Sequence, residues 1–84
     1  MLKDLYMKAT EICYDFNFND CFDYHAKVNV RFFSNKKTIV SMVVTDCKTG
    51  LPKFNESFCN TEPDEFMEIQ YYKFKSILEE LKND

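Results

Sequence analysis

Four cysteines, Cys13, Cys21, Cys47 and Cys59, and one histidine, His25, are the side chains of this chain that ordinarily hold metals or act as nucleophiles at neutral pH. Cys21 and His25 stand four apart with Asp20 and Asp23 beside them, a spacing that could begin a zinc site. Neither a Cys-x-x-Cys pair nor a second histidine completes it, so a closed tetrahedral site would need distant thiols to converge. The reading is therefore no metal, with His25 an exposed strand residue. No Gly-rich phosphate loop, Gly-x-Ser-x-Gly turn or carboxylate pair on converging elements is present, which leaves only cysteine chemistry. A domain of this size also offers little room for a water-excluding pocket. The expectation is a non-enzyme with no cofactor. Asn55-Glu56-Ser57 matches a glycosylation acceptor, a pattern without meaning unless the chain is secreted.

These residues must be positioned by elements that the hydrophobic period reveals. Leu2, Leu5, Tyr6, Ala9, Ile12, Cys13 and Phe16 recur at three and four, which predicts a helix over 2–15. Asn17 to Asp23 interleaves turn formers with aromatics and reads as a loop pinned by Phe18 or Phe22. From Tyr24 to Phe33 the period is two: Tyr24, Ala26, Val28, Val30 and Phe32 alternate with His25, Lys27, Asn29, Arg31 and Phe33, a half-buried strand. After Ser34-Asn35-Lys36, the β-branched run Lys37 to Asp46 forms a hairpin with it, Val40, Met42 and Val44 facing inward. The single glycine, Gly50, supplies the positive φ of a second hairpin, and Lys53 to Cys59 makes a third strand with Phe54 and Phe58 inward. Thr61 as N-cap, then Glu62, Pro63 and Asp64, opens a final helix running to about Lys82. Its stripe is Met67, Tyr71, Phe74, Ile77, Leu78 and Leu81, with Phe66 beside it.

The order is thus α-β-β-β-α. Short connections predict an α+β fold of two layers: a three-stranded antiparallel meander with both helices on one face. The polar set His25, Lys27, Asn29 and Arg31 leaves the opposite face wet. With 84 residues, 45% apolar and 17% aromatic, the chain forms one compact domain, 1–84, with an aromatic-heavy core rather than a disordered tail. Asp4, Glu11 and Asp15 break up any leader-like apolar stretch, and no apolar run approaches the roughly 20 residues of a membrane helix. A cytoplasmic location follows as an expectation, with the cysteines reduced, free and mostly buried. Ten lysines against one arginine, with abundant Asn, Phe, Tyr and Ile, match A/T-rich codons and suggest a bacterial, phage or plasmid genome.

Charge is sorted along the chain. Residues 1–24 carry two Lys against five acids, residues 25–53 six basic residues against Asp46, and residues 54–84 three Lys against eight acids. The strands are basic and the helices acidic, which reads either as ordinary strand-edge lysine and helix glutamate or as a two-signed surface that selects partners. On the final helix Ile69 and Tyr72 point away from the core stripe among Glu65, Glu68 and Glu79, the material of a protein-binding anchor. On the strands Lys27, Arg31, Lys37 and Lys53 could surround Phe33 and His25 as a platform for single-stranded nucleic acid.

In element order the chain resembles the double-stranded RNA-binding domain across most of its length. That family grips phosphates with lysines at the start of its second helix, whereas Glu62, Pro63, Asp64, Glu65 and Glu68 stand there in this chain and would repel RNA. The first hairpin, Ser34-Asn35-Lys36-Lys37, also lacks the family's Gly-Pro loop, so the likeness implies the topology and not the activity. In size, acidity and codon signature the chain looks like small phage or mobile-element inhibitors of host proteins, anti-CRISPR proteins among them. The expectation is a non-catalytic module, monomeric or a small homo-oligomer, whose acidic helix face meets a basic protein surface where nucleic acid would bind. The alternative is a single-stranded nucleic-acid binder using the outer sheet face, and a third reading is self-association through the meander edge.

Overall fold

The computed structural model describes residues 1–19 and 23–82. The elements run α1 (Leu2–Asn19), β1 (Tyr24–Phe32), β2 (Thr38–Asp46), β3 (Pro52–Cys59) and α2 (Asp64–Lys82), and the strands form one antiparallel sheet in the order β1-β2-β3. The α+β meander expected from the period is the observed fold. Register fixes the two faces. Ala26, Val44 and Phe54 stand in one row, Val28, Met42 and Glu56 in the next, Val30, Val40 and Phe58 in a third, all on the side that α1 and α2 cover. The opposite face carries His25, Lys27, Asn29 and Arg31 on β1, Ser41 and Val43 on β2, and Asn55 and Ser57 on β3, with no helix over it.

The core gathers Leu5, Ala9, Cys13 and Phe16 of α1, the inner rows of the sheet, and Met67, Tyr71, Phe74, Leu78 and Leu81 of α2. Phe16, Phe58 and Phe74 are the largest fully buried side chains, and each contributes about 2–3 kcal/mol by leaving water. Among the described residues one polar residue is buried with them. Gln70 donates from Nε2 to Glu56 Oε2 at 2.9 Å and to the Ser57 carbonyl at 3.1 Å, which satisfies an amide inside the core and a carboxylate on the helix side of the sheet.

Three expectations are corrected. The first helix does not stop at residue 15 but continues to Asn19, so Phe18 is an exposed helix residue stacked on Tyr14 at 4.5 Å and pins no loop; Phe22 lies outside the described residues. The cause is Asn17, whose carboxamide donates to the Ala26 carbonyl and accepts from the Ala26 N–H, both at 2.8 Å. It closes the strand edge as a neighbouring strand would, and a turn-forming residue is thereby held inside a helix. Thr61 is not the N-cap of α2: its hydroxyl lies 3.1 Å from Cys59 Sγ, and the Glu62 carboxylate accepts from the Cys59 N–H instead. Phe32 has the parity of the inner row yet stands mostly in solvent, at the end of β1 beside the first turns of α1.

Gly50 takes the predicted left-handed conformation at φ 74°, in a turn where Asp46 Oδ1 accepts from the Lys48 N–H at 2.8 Å and the Gly50 N–H donates to the Asp46 carbonyl at 2.8 Å. The first hairpin places Lys36 at φ 67° without a glycine, and the Phe33 N–H closes it on the Lys37 carbonyl at 2.9 Å.

Candidate functional site

The outer face of α2 brings most of the predicted acidic set together. At about 100° per residue, Glu65, Glu68, Ile69 and Tyr72 fall on one stripe opposite the buried row. Ile69 is 53% and Tyr72 54% exposed, both well above what a spacer on a packed helix needs. They border a shallow groove between α2 and β3 that is floored by Phe54 and Ile77 and edged by Lys73, Ser76 and Glu80. Tyr71 holds the Tyr72 ring edge-on at 5.2 Å, so the exposed aromatic is steadied by a core neighbour. The first two turns of α2 carry Asp64, Glu65 and Glu68 and no cation before Lys73, where the helix dipole favours carboxylates.

Glu79 separates from this patch. It stands about 20 Å along the helix from Glu65 and shares a groove with Lys75 and Lys82 of α2 and with Asp15 of α1. The helical layer is therefore mixed in sign at its C-terminal end. Counted over the elements, α1 has two Lys against three acids and α2 three Lys against five, so the acidic character concentrates in the first half of α2.

The second predicted set does not converge. Lys27 and Arg31 share the outer face of β1, in rows with Val43 and Asn55 and with Ile39 and Cys59, and that face holds no acid. Phe33 and Lys37 meet across the first hairpin at the Arg31 end. Lys53 falls at the irregularity opposite Val44 and Thr45, about 25 Å along the sheet from Lys37. No aromatic occupies the rows between them, so a base-stacking platform is missing its centre.

The thiols differ in surroundings. Cys13 is buried on the inner side of α1, and burial raises its pKa above the usual thiol value while the Asn17 side chain and the Val28 backbone oppose that. Cys59 is lowered, chiefly by its hydrogen bond with Thr61 and further by the charge of Lys37. Cys47 is exposed in the second turn while Cys13 and Cys59 are buried, so the described thiols are free and mostly buried as expected; Cys21 and Asp20 lie outside the described residues. Among the described residues no group of three His, Cys, Asp or Glu side chains could hold a metal ion, and no helix is long and apolar enough to cross a membrane.

Sequence reasoning missed one surface. Met7, Tyr14 and Phe18 lie on the solvent side of α1, and Phe32 stands beside Met7 at a hollow lined by Leu2 and Tyr6. The signal was present as a second apolar row at 7, 14 and 18, outside the stripe that the core uses. Comparison with protein families, with characterised proteins and with solved structures finds no match to this chain.

Proposed function

We propose that the chain is a non-catalytic protein-binding module acting in the cytoplasm, which docks the N-terminal half of α2 on a basic protein surface. The observation that carries this reading is Ile69 and Tyr72, more than half exposed, standing directly beside Glu65 and Glu68 and above the Phe54 groove. An aromatic and an aliphatic anchor beside two carboxylates, with Lys73 at the other edge of the groove, is the composition of an interface hot spot with a mainly acidic rim. Carboxylates spaced along a helix can occupy the place of phosphates, so the partner of best fit is a nucleic-acid-binding protein whose site this chain would block, as small inhibitors from phage and mobile elements do.

The cation-only outer sheet face supports a second reading, binding of single-stranded nucleic acid through Lys27 and Arg31. One experiment separates them: affinity purification of the tagged chain from its native host after nuclease treatment. Alongside the wild type run a Glu65→Lys/Glu68→Lys/Tyr72→Ala variant and a Lys27→Glu/Arg31→Glu variant. Loss of a stoichiometric protein from the first variant only is the expected result. Recovery of nuclease-protected nucleic acid that disappears with the second variant would establish the alternative instead.

A further inference from the structure

The outer side of an amphipathic helix on a small domain is ordinarily polar, and that of α1 sets three large apolar side chains among Lys3, Thr10 and Glu11. Leu5, Ala9, Cys13 and Phe16 face the core. On the other side Met7 is 58%, Tyr14 60% and Phe18 73% exposed, and Phe32 of β1 beside them is 78% exposed. Together these four side chains offer roughly 600 Å² to solvent, most of the ~800 Å² that each partner contributes to a stable interface. The row is set apart from the α2 patch, since it adjoins β1 at one edge of the sheet and the groove of Ile69 and Tyr72 adjoins β3 at the other.

The pattern of this row identifies what covers it. Pairing two α1 helices antiparallel about a two-fold axis between Thr10 and Glu11 sets Met7 against Tyr14 and Phe18 against Lys3. A thioether then meets an aromatic ring, and an ammonium group meets the ring pair that Tyr14 and Phe18 already form at 4.5 Å. At the border Lys8 of one copy falls between Glu11 and Asp15 of the other, which offsets the approach of the two Glu11 carboxylates at the two-fold axis. The hollow between Leu2, Tyr6, Val30 and Thr38, walled by Met7 and Phe32, lies where Phe18 of the second copy arrives. The strand edge beneath is closed at Ala26, where Asn17 already holds the backbone N–H and C=O.

We propose that two copies of this chain associate through α1 in this antiparallel arrangement, independently of the α2 patch. Sedimentation equilibrium of the full chain tests it at concentrations up to about 1 mM. The wild type should reach twice the chain mass of 10.1 kDa, while Tyr14→Glu and Met7→Lys stay at the single mass with unchanged far-UV circular dichroism. Should either variant fold poorly, Tyr14→Ser trims the same row without adding charge and should raise the dissociation constant at least tenfold. Tyr72→Glu should leave the mass unaltered. A wild type that remains at 10.1 kDa throughout, or a dimer that survives Tyr14→Glu or dissociates with Tyr72→Glu, overturns the proposal.

Discussion

Asn17→Ala is the substitution that tests most directly how α1 is held on the sheet. The change removes two hydrogen bonds of 2.8 Å and leaves the N–H and C=O of Ala26 without a partner beneath the helix. An orphaned buried backbone group costs about 1–3 kcal/mol. Asn17 is itself half-buried, so water reaches part of the gap and the pair together should cost about 2 kcal/mol rather than the upper limit. For a domain of this size that is a large share of a total on the order of 5–10 kcal/mol, and it should lower the Tm by about 10 °C. Urea unfolding followed by circular dichroism reads it as a lower midpoint at constant slope. Asn17→Asp should not rescue stability, because a carboxylate can accept from the N–H but faces the Ala26 carbonyl with a negative oxygen. Asn29→Ala, on the uncovered face of the same strand, should stay within about 0.5 kcal/mol of the wild type. If Asn17→Ala matches Asn29→Ala, the carboxamide is not what extends the helix past residue 15 and closes the strand edge.

Three further outcomes follow from the core and the turns. Burial raises the pKa of both Cys13 and Tyr71, so their contribution is complete below the unfolded values of 9.0 and 10.0 and is lost as pH rises through the folded ones; the unfolding free energy should decline above about pH 9, and Cys13→Ala with Tyr71→Phe should flatten that decline. Gln70→Leu leaves Glu56 facing the core without its donor and should cost about 2 kcal/mol in urea unfolding. Gly50→Ala meets no atom within 4 Å, so its cost should be the left-handed backbone alone, about 1 kcal/mol, and an Asn at the same position should recover part of it.

The elements were legible because burial imposes a period, and the period survives in the residue types. Val40, Met42 and Val44 alternate with Ser41 and Val43 along the middle strand, and Met67, Tyr71, Phe74 and Leu78 step around α2, so a reader of the chain can place both layers. What the period does not carry is a contact made across the chain. Asn17 reads as a loop former, and only its position over Ala26, nine residues on, makes it a helix residue. Thr61 reads as a cap, and only the turn that brings Glu62 back to the Cys59 N–H displaces it. Lys53 and Lys37 look like members of one basic surface until the register sets them at opposite ends. Ile69 and Tyr72 could be placed on the outside from helical geometry, yet their groove with Phe54 depends on which edge of the sheet α2 packs against.

The two exposed apolar surfaces differ in a way that bears on what each can recognise. The α2 patch adjoins a carboxylate cluster that no copy of itself would welcome, since two such faces brought together would oppose Glu65 and Glu68 to their own kind. The α1 row has Lys3 and Lys8 towards one end and Glu11 and Asp15 towards the other, so its reversed image brings Lys8 to Glu11 and Asp15. Self-pairing through α1 would leave both α2 patches free, one on each side of the two-fold. A basic partner that is itself repeated or dimeric would then meet two linked anchors, and the second contact would form at an effective concentration set by the spacing rather than by the bulk. Tyr14→Glu should accordingly weaken retention on a surface densely coated with such a partner while leaving the affinity for one isolated copy of it unchanged. Equal weakening in both formats would mean that α1 touches the partner directly and that the two surfaces act as one.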